Sequence, residues 1–228
     1  MTHHTSFEDD WLNILQGLRN HPGIHVMRDT EGPLDLTIED VLESFDELQD
    51  RENITLPPVF QENYLRHSEI SSQWKTVGPY AFVTAEFNFT PLAHLVHEDP
   101  PVFGSSNSSD EERRLVSELR VIDESPVTGT GSFAAIRLQP GVEEPEIWFT
   151  DGERGIWQMD LDYFGYFQSL KLTKGAFGWQ YLFTRAPLET EEFESAVDRL
   201  KNMLESLPRI FPEHDYEPLR ARFAERMG

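Results

Sequence analysis

The segment Glu146 to Phe183 (EIWFTDGERGIWQMDLDYFGYFQSLKLTKGAFGWQYLF) constrains the fold more than any other stretch. Its 38 residues hold 11 of the chain's 27 aromatic residues and three of its five tryptophans, Trp148, Trp157 and Trp179. Each aromatic side chain removes a large area from water, so the segment reads as the main core-forming part of the chain. Glu146–Thr150 has the pattern of a strand. Asp151-Gly152 begins a short connection, and Gly155–Asp160 returns as the hairpin partner. A helix follows from about Leu161 to Thr173, with Asp160 or Asp162 near its cap and Gly175 at its exit. Trp179–Phe183 reads as a short apolar strand or extended segment.

The flanking regions add helices first. Phe7, Trp11, Ile14, Leu15 and Leu18 fall at helical spacing, with Ser6 and Asp9 as a capping box. A second helix begins at Thr37, with Asp40 three residues on and an apolar face of Ile38, Val41, Leu42, Phe45 and Leu48. Leu56-Pro57-Pro58-Val59-Phe60 opens a third, carrying Phe60, Tyr64 and Leu65, because proline suits a first helical turn. From Tyr80 the period changes to two: Val83, Ala85, Phe87 and Phe89 alternate with Thr84, Glu86 and Asn88, a half-buried strand that Pro91 ends. Residues 98–112 (EDPPVFGSSNSSDEE) are rich in Pro, Ser and acid and read as a mobile acidic insertion on the surface. Residues 113–122 fit a helix and a strand equally well. Ser132–Gln139 is a strand, and Pro140-Gly141 a turn. A strong helix capped by Thr190 carries Phe193, Val197, Leu200, Leu204 and Leu207, and a short helical tail is expected near 217–228. Hairpin signals outnumber crossover signals. The expected fold is a single α+β domain over 1–228, with a mainly antiparallel sheet flanked by helices.

Composition narrows the function classes. The chain carries 41 acidic and 19 basic residues, a formal net charge of −22. Such a charge repels phosphate backbones, so no nucleic-acid partner is expected, while a basic protein partner would be attracted. Solubility alone is the competing explanation. No apolar run approaches the roughly 18–20 residues of a membrane span. The N-terminus lacks the basic and apolar regions of a signal peptide. With no cysteine in the chain, disulfides and thiolate metal sites are excluded, and a cytoplasmic location is expected.

No catalytic signature stands out. Asp160-Leu161-Asp162 resembles a D-x-D metal clamp, which requires both carboxylates on one side; strand-end and helix-cap roles explain them better. His94 and His97 lack the i, i+4 spacing and the third ligand of a helical zinc site. Gly129-Thr130-Gly131 with Ala134 loosely matches a dinucleotide fingerprint, but a strand pattern follows where a helix should. No nucleophile elbow or P-loop occurs. No metal, cofactor or catalytic residue is assigned.

The chain resembles the SUKH superfamily, which includes yeast cell-wall-synthesis regulators of the Smi/Knr type and many bacterial immunity proteins. The likeness lies in the Leu56–Phe60 lead-in with Tyr64 and Leu65, in Glu146–Asp160 as a central hairpin, and in Asp162–Leu170 followed by Gly178–Phe183. Arg66-His67-Ser68-Glu69 stands where an Asn-Gly or Gly-Gly pair often occurs in the family, and the acidic stretch near 98–112 is extra material. The resemblance implies a non-catalytic α+β fold that blocks a toxin by stoichiometric binding. Here the toxin would be a basic domain such as a nuclease. The alternatives are a regulatory scaffold and a metal-dependent enzyme using Asp160 and Asp162 or His94 and His97. The expected partner-binding residues are the acidic runs Asp110, Glu111, Glu112 and Glu143, Glu144, Glu146, together with Asp162 and the aromatic anchors Tyr163 and Tyr166.

Overall fold

The computed structural model describes residues 4–57, 59–60, 63–95, 98–102, 109–127, 131–152 and 154–228. The fold is α+β, with two antiparallel sheets and helices around them. β1 (Ile24–Glu31), β2 (Ile70–Thr76) and β3 (Thr84–Asn88) form one sheet in sequence order. β4 (Leu119–Glu124), β5 (Phe133–Arg137), β6 (Ile147–Thr150) and β7 (Ile156–Gln158) form the other, also in sequence order. The sheets adjoin where β3 leaves off. Phe89 bridges Asp123, and the Thr90 amide donates to the Ile122 carbonyl at 3.2 Å.

The helices are α1 (Ser6–Asn20), α2 (Ile38–Glu52), the single turn α3 (Leu92–Leu95), α4 (Asp110–Glu118), α5 (Tyr163–Thr173), α6 (Glu194–Ile210) and α7 (Glu217–Met227). The capping box of α1 is Thr5 with Glu8, one residue ahead of the Ser6–Asp9 box expected from the sequence. Residues 113–122 are divided: α4 runs to Glu118 and β4 starts at Leu119. Asp110–Glu112, expected in a loop, form the first turn of α4, fixed by Ser109 and Glu112 as a capping box. The rest of the expected mobile stretch includes residues 103–108, which lie outside the described residues.

Three further expectations are corrected. Asn63–Arg66 do not continue a helix from Val59–Phe60. The Arg66 amide donates to Glu8, and its carbonyl accepts from Asp35 at 3.1 Å and Leu36 at 3.3 Å, so tertiary partners take the groups a helix would need. Tyr64 and Leu65 are nevertheless buried. Trp179–Phe183 is a 3-10 helix, not a strand. Thr190 precedes a 3-10 turn, Glu191–Phe193, that leads into α6, and its hydroxyl donates to the Pro187 carbonyl at 3.0 Å instead of capping.

One hydrophobic cluster runs from Phe7 to Leu219. Within it Trp11, Trp74 and Trp179 are completely enclosed, while Trp148 and Trp157 are half-buried. The aromatic segment is therefore one wall of the core. The opposite contribution comes from α1, whose Trp11 ring packs against Phe89 at 4.3 Å and Phe87 at 5.6 Å and Phe167 at 6.2 Å between ring centres. Gly175 closes the structure over β3: Glu86 N–H donates to its carbonyl at 3.1 Å. Its φ of +74° and the Glu86 carbonyl, 2.9 Å from where a Cβ would stand, leave room for glycine alone.

Candidate functional site

α2 is densely acidic. Seven of its fifteen residues are acidic. Thr37 caps it: its hydroxyl accepts from the Asp40 amide at 3.1 Å, and the Asp40 carboxylate accepts from the Thr37 amide at 2.7 Å. Those bonds hold the Asp40 carboxyl below its ordinary pKa. Val41, Phe45 and Leu48 face the core. Glu39, Glu43, Asp46 and Asp50 are exposed, and their spacing of four, three and four residues puts them in one stripe along the helix. Among the described residues none of the four has an ion-pair partner. Ile38 and Leu42, also at helical spacing, lie beside the stripe and are 47% and 43% exposed.

The helix ends at Asn53, in the left-handed region at φ 54°. Its carbonyl accepts from the Gly141 amide at 3.2 Å. This contact carries the turn after β5 to the end of α2, and Glu143 shares a shallow hollow there with Asn53 and Pro57. Glu143 and Glu144 are exposed at that end.

The other expected site residues separate into different environments. Glu146 accepts from Arg137 at 3.0 Å and from the Trp148 indole at 2.9 Å. Arg137 also donates to Glu118 at 2.8 Å, and Arg114 reaches Glu118 at 3.0 Å. Burial opposes ionisation of Glu118, but these bonds outweigh it and hold its carboxyl below the usual range. The Glu146 and Glu118 carboxylates therefore fasten β5, β6 and α4 together. Asp110, Glu111 and Glu112 are exposed in the first turn of α4, where they complement the helix dipole. Asp162 caps α5, accepting from the Gly165 amide at 2.6 Å.

Tyr163 and Tyr166 were expected as surface anchors and are core residues, 5% and 0% exposed. Tyr163 stacks on Phe60 with ring centres 4.3 Å apart. Tyr166 donates to Asp123 Oδ2 at 2.7 Å. Both lie on the buried face of α5 with Phe167 and Leu170, which meets Phe7 of α1 and Asp123 of β4.

The two carboxylates of the Asp160–Asp162 alternative have separate partners. Asp160 pairs with Arg222 at 2.7 Å while Asp162 is committed to its cap. His94 lines a groove of about 540 Å³ over the outward face of β2 and β3, with Ser71, Gln73 and Asn88 on its floor. His97 lies outside the described residues. Among the described residues no three His, Asp or Glu side chains gather to hold a cation.

Two features escaped the sequence. The acidic stripe of α2 is present in its composition, but the apolar face at the same helical spacing dominates the pattern. Asp123 gave no signal. It is buried at the seam between the sheets, accepting from Tyr166 and from the Asn88 amide at 3.0 Å. Burial pushes its carboxyl up to about 7; the bonds from Tyr166 and Asn88 oppose this, and the nearby Glu124 and Glu86 carboxylates add to it.

Comparison with protein-family models, with curated proteins and with solved structures finds no match to this chain. Among the described residues no helix is long and apolar enough to cross a membrane.

Proposed function

We propose that this protein is a non-catalytic binding protein of the immunity type, which neutralises a basic toxin domain in the cytoplasm by occupying its substrate groove. One observation carries the proposal: the four unpartnered carboxylates of α2 stand in a row beside exposed Ile38 and Leu42. Like charges at i, i+3 and i, i+4 destabilise a helix. A row of them with no ion-pair partner among the described residues suits a surface completed by someone else's lysines and arginines. The carboxylates would accelerate encounter, and the two apolar side chains would slow departure. Glu143 and Glu144 extend the negative surface past the end of the helix. The SUKH resemblance supplies the toxin-blocking role, and the net charge of −22 fits a target whose groove is built to hold phosphates.

The test is association with a basic nuclease toxin encoded beside this chain, followed by stopped-flow from about 0.05 to 0.5 M salt. Association should slow steeply with salt, and Glu43→Lys with Asp46→Lys should slow it at low salt while the nuclease regains activity. Association that ignores both ionic strength and the double substitution would remove α2 as the contact surface.

A further inference from the structure

The second sheet ends in a strand whose outer edge is open. Its hydrogen-bond phase follows from two contacts. Arg137 N–H donates to the Glu146 carbonyl at 2.9 Å, and Met159 N–H donates to the Ile147 carbonyl at 2.7 Å. In an antiparallel ladder the bonded pairs alternate, so Phe149 with Trp157 is a bonded pair and Thr150 with Ile156 and Trp148 with Gln158 are not. The amides and carbonyls of Ile156 and Gln158 therefore point away from β6. Among the described residues no other backbone pairs with them. At Asp160 the edge is already used, since its N–H donates to the Phe183 carbonyl at 2.7 Å. The open length is thus Ile156–Gln158.

A groove of about 590 Å³ lies along this edge, bounded across from β7 by α7 and by Thr184-Arg185. Three of the chain's fifteen arginines, Arg185, Arg222 and Arg226, line it, against the carboxylates Asp160 and Glu225. A local excess of positive charge is unexpected on a chain of net −22. Arg222 is held by Asp160 and lies 5.0 Å over the Phe183 ring, and Arg226 donates to the Ala186 carbonyl. Both guanidinium groups are thereby fixed at the groove wall. Arg185 is exposed and has no ion pair among the described residues.

We propose that β7 and α7 form a docking groove for an extended acidic segment of another protein, which adds to the sheet as a fifth strand. Strand addition satisfies the outward backbone groups of Ile156 and Gln158, and alternate side chains of the guest reach the flanking walls. The arginines select carboxylate-bearing segments by charge-assisted hydrogen bonds. Natural edges are commonly blocked by lysine, proline or a covering loop. Here Ile156-Trp157-Gln158 carries none of the first two, and a groove lies where cover would be. This site shares no residue with the α2 surface, so either can fail without the other.

The test is fluorescence anisotropy with a labelled acetyl-Glu-Val-Glu-Val-Glu amide. Binding should weaken about tenfold in Arg185→Glu, a substitution of an exposed side chain. The lysine counterpart of the peptide should not bind. Neither should the acidic peptide with every backbone amide methylated, which keeps its charge but cannot pair with the edge. Absence of binding by the parent peptide, equal binding of the methylated peptide, or equal binding to Arg185→Glu would each overturn the proposal.

Discussion

Glu8 and Arg66 form a fully enclosed ion pair that ties α1 to the chain 58 residues later. The guanidinium reaches Glu8 Oε2 at 2.6 Å and Oε1 at 3.0 Å, and the Arg66 amide also donates to Oε1 at 2.9 Å. The same carboxylate closes the capping box of α1 by accepting from the Thr5 amide at 2.8 Å. One side chain thus serves a helix start and a tertiary clamp.

Removing one partner strands a buried charge, so Glu8→Gln and Arg66→Met should each lower stability by about 3–5 kcal/mol in urea unfolding. The double variant should recover a substantial part of the loss. Burial opposes ionisation of Glu8, but the bonds from Arg66 and Thr5 outweigh it and depress its pKa. Its contribution is therefore complete above the unfolded glutamate pKa and disappears as pH falls through the lower folded value. The Glu8→Gln variant should be the less acid-sensitive protein below about pH 4.5.

Asp123 acts with the opposite sign. Its folded pKa is raised to about 7, so between the unfolded aspartate value and about 7 the folded state binds a proton that the unfolded chain has lost. Stability should decline as pH rises through that window, by up to about 1.4 kcal/mol per pH unit. Asp123→Asn should flatten the profile, as read by thermal unfolding at a series of pH values. Tyr166→Phe removes a donor to the carboxylate and should shift the decline to higher pH.

On α2 the expected result is a gain. Glu43→Lys creates favourable pairs with Glu39 and Asp46 in place of repulsive ones, each worth about 0.2–0.5 kcal/mol. The variant should unfold at a higher temperature than the parent and bind a basic partner more slowly. A loss of stability would mean that the stripe is part of the fold's own support.

Asn53 tests the end of the same helix. Its φ of 54° favours Gly or Asn. Asn53→Gly should be close to neutral, whereas Asn53→Val should cost about 1–2 kcal/mol. Because the Asn53 carbonyl receives the Gly141 amide, exchange of the Gly141 amide hydrogen should quicken in the valine variant.

The fold class and the strand-hairpin-helix order from Glu146 to Thr173 could be read from the sequence because the periods are clean and the turn residues stand where they are needed. β1 and β2 could not. β1 contains a register shift between Val26 and Arg28, so its alternation breaks off after Met27. β2 alternates strictly, but Ser72 and Thr76 fill two of its four inward positions and hide the apolar rhythm. Trp179–Phe183 is buried on nearly every side, and an apolar run of five residues does not separate strand from tight helix. Among the site residues, Asp110, Glu111, Glu143 and Glu144 lie on the surface, but Glu112, Glu146 and Asp162 serve the fold. Charge composition could not distinguish those two uses, since an ion pair in space leaves no mark on spacing. The α2 stripe was legible, and the apolar face of the helix obscured it.

Within each sheet, every strand after the first hydrogen-bonds to the strand immediately before it in the chain. During synthesis every new strand therefore finds its neighbour already outside the ribosome, and the sheets can grow from the first strand to the last without waiting. Trp11 breaks that schedule. Apart from Phe7 of α1 itself, the rings that enclose it belong to β3, the residue just after it, and α5, so the first helix emerges with its largest apolar side chain mostly bare. It is only partly covered until Phe167 of α5 has been made, and in that interval a chaperone would find its handhold on this nascent chain.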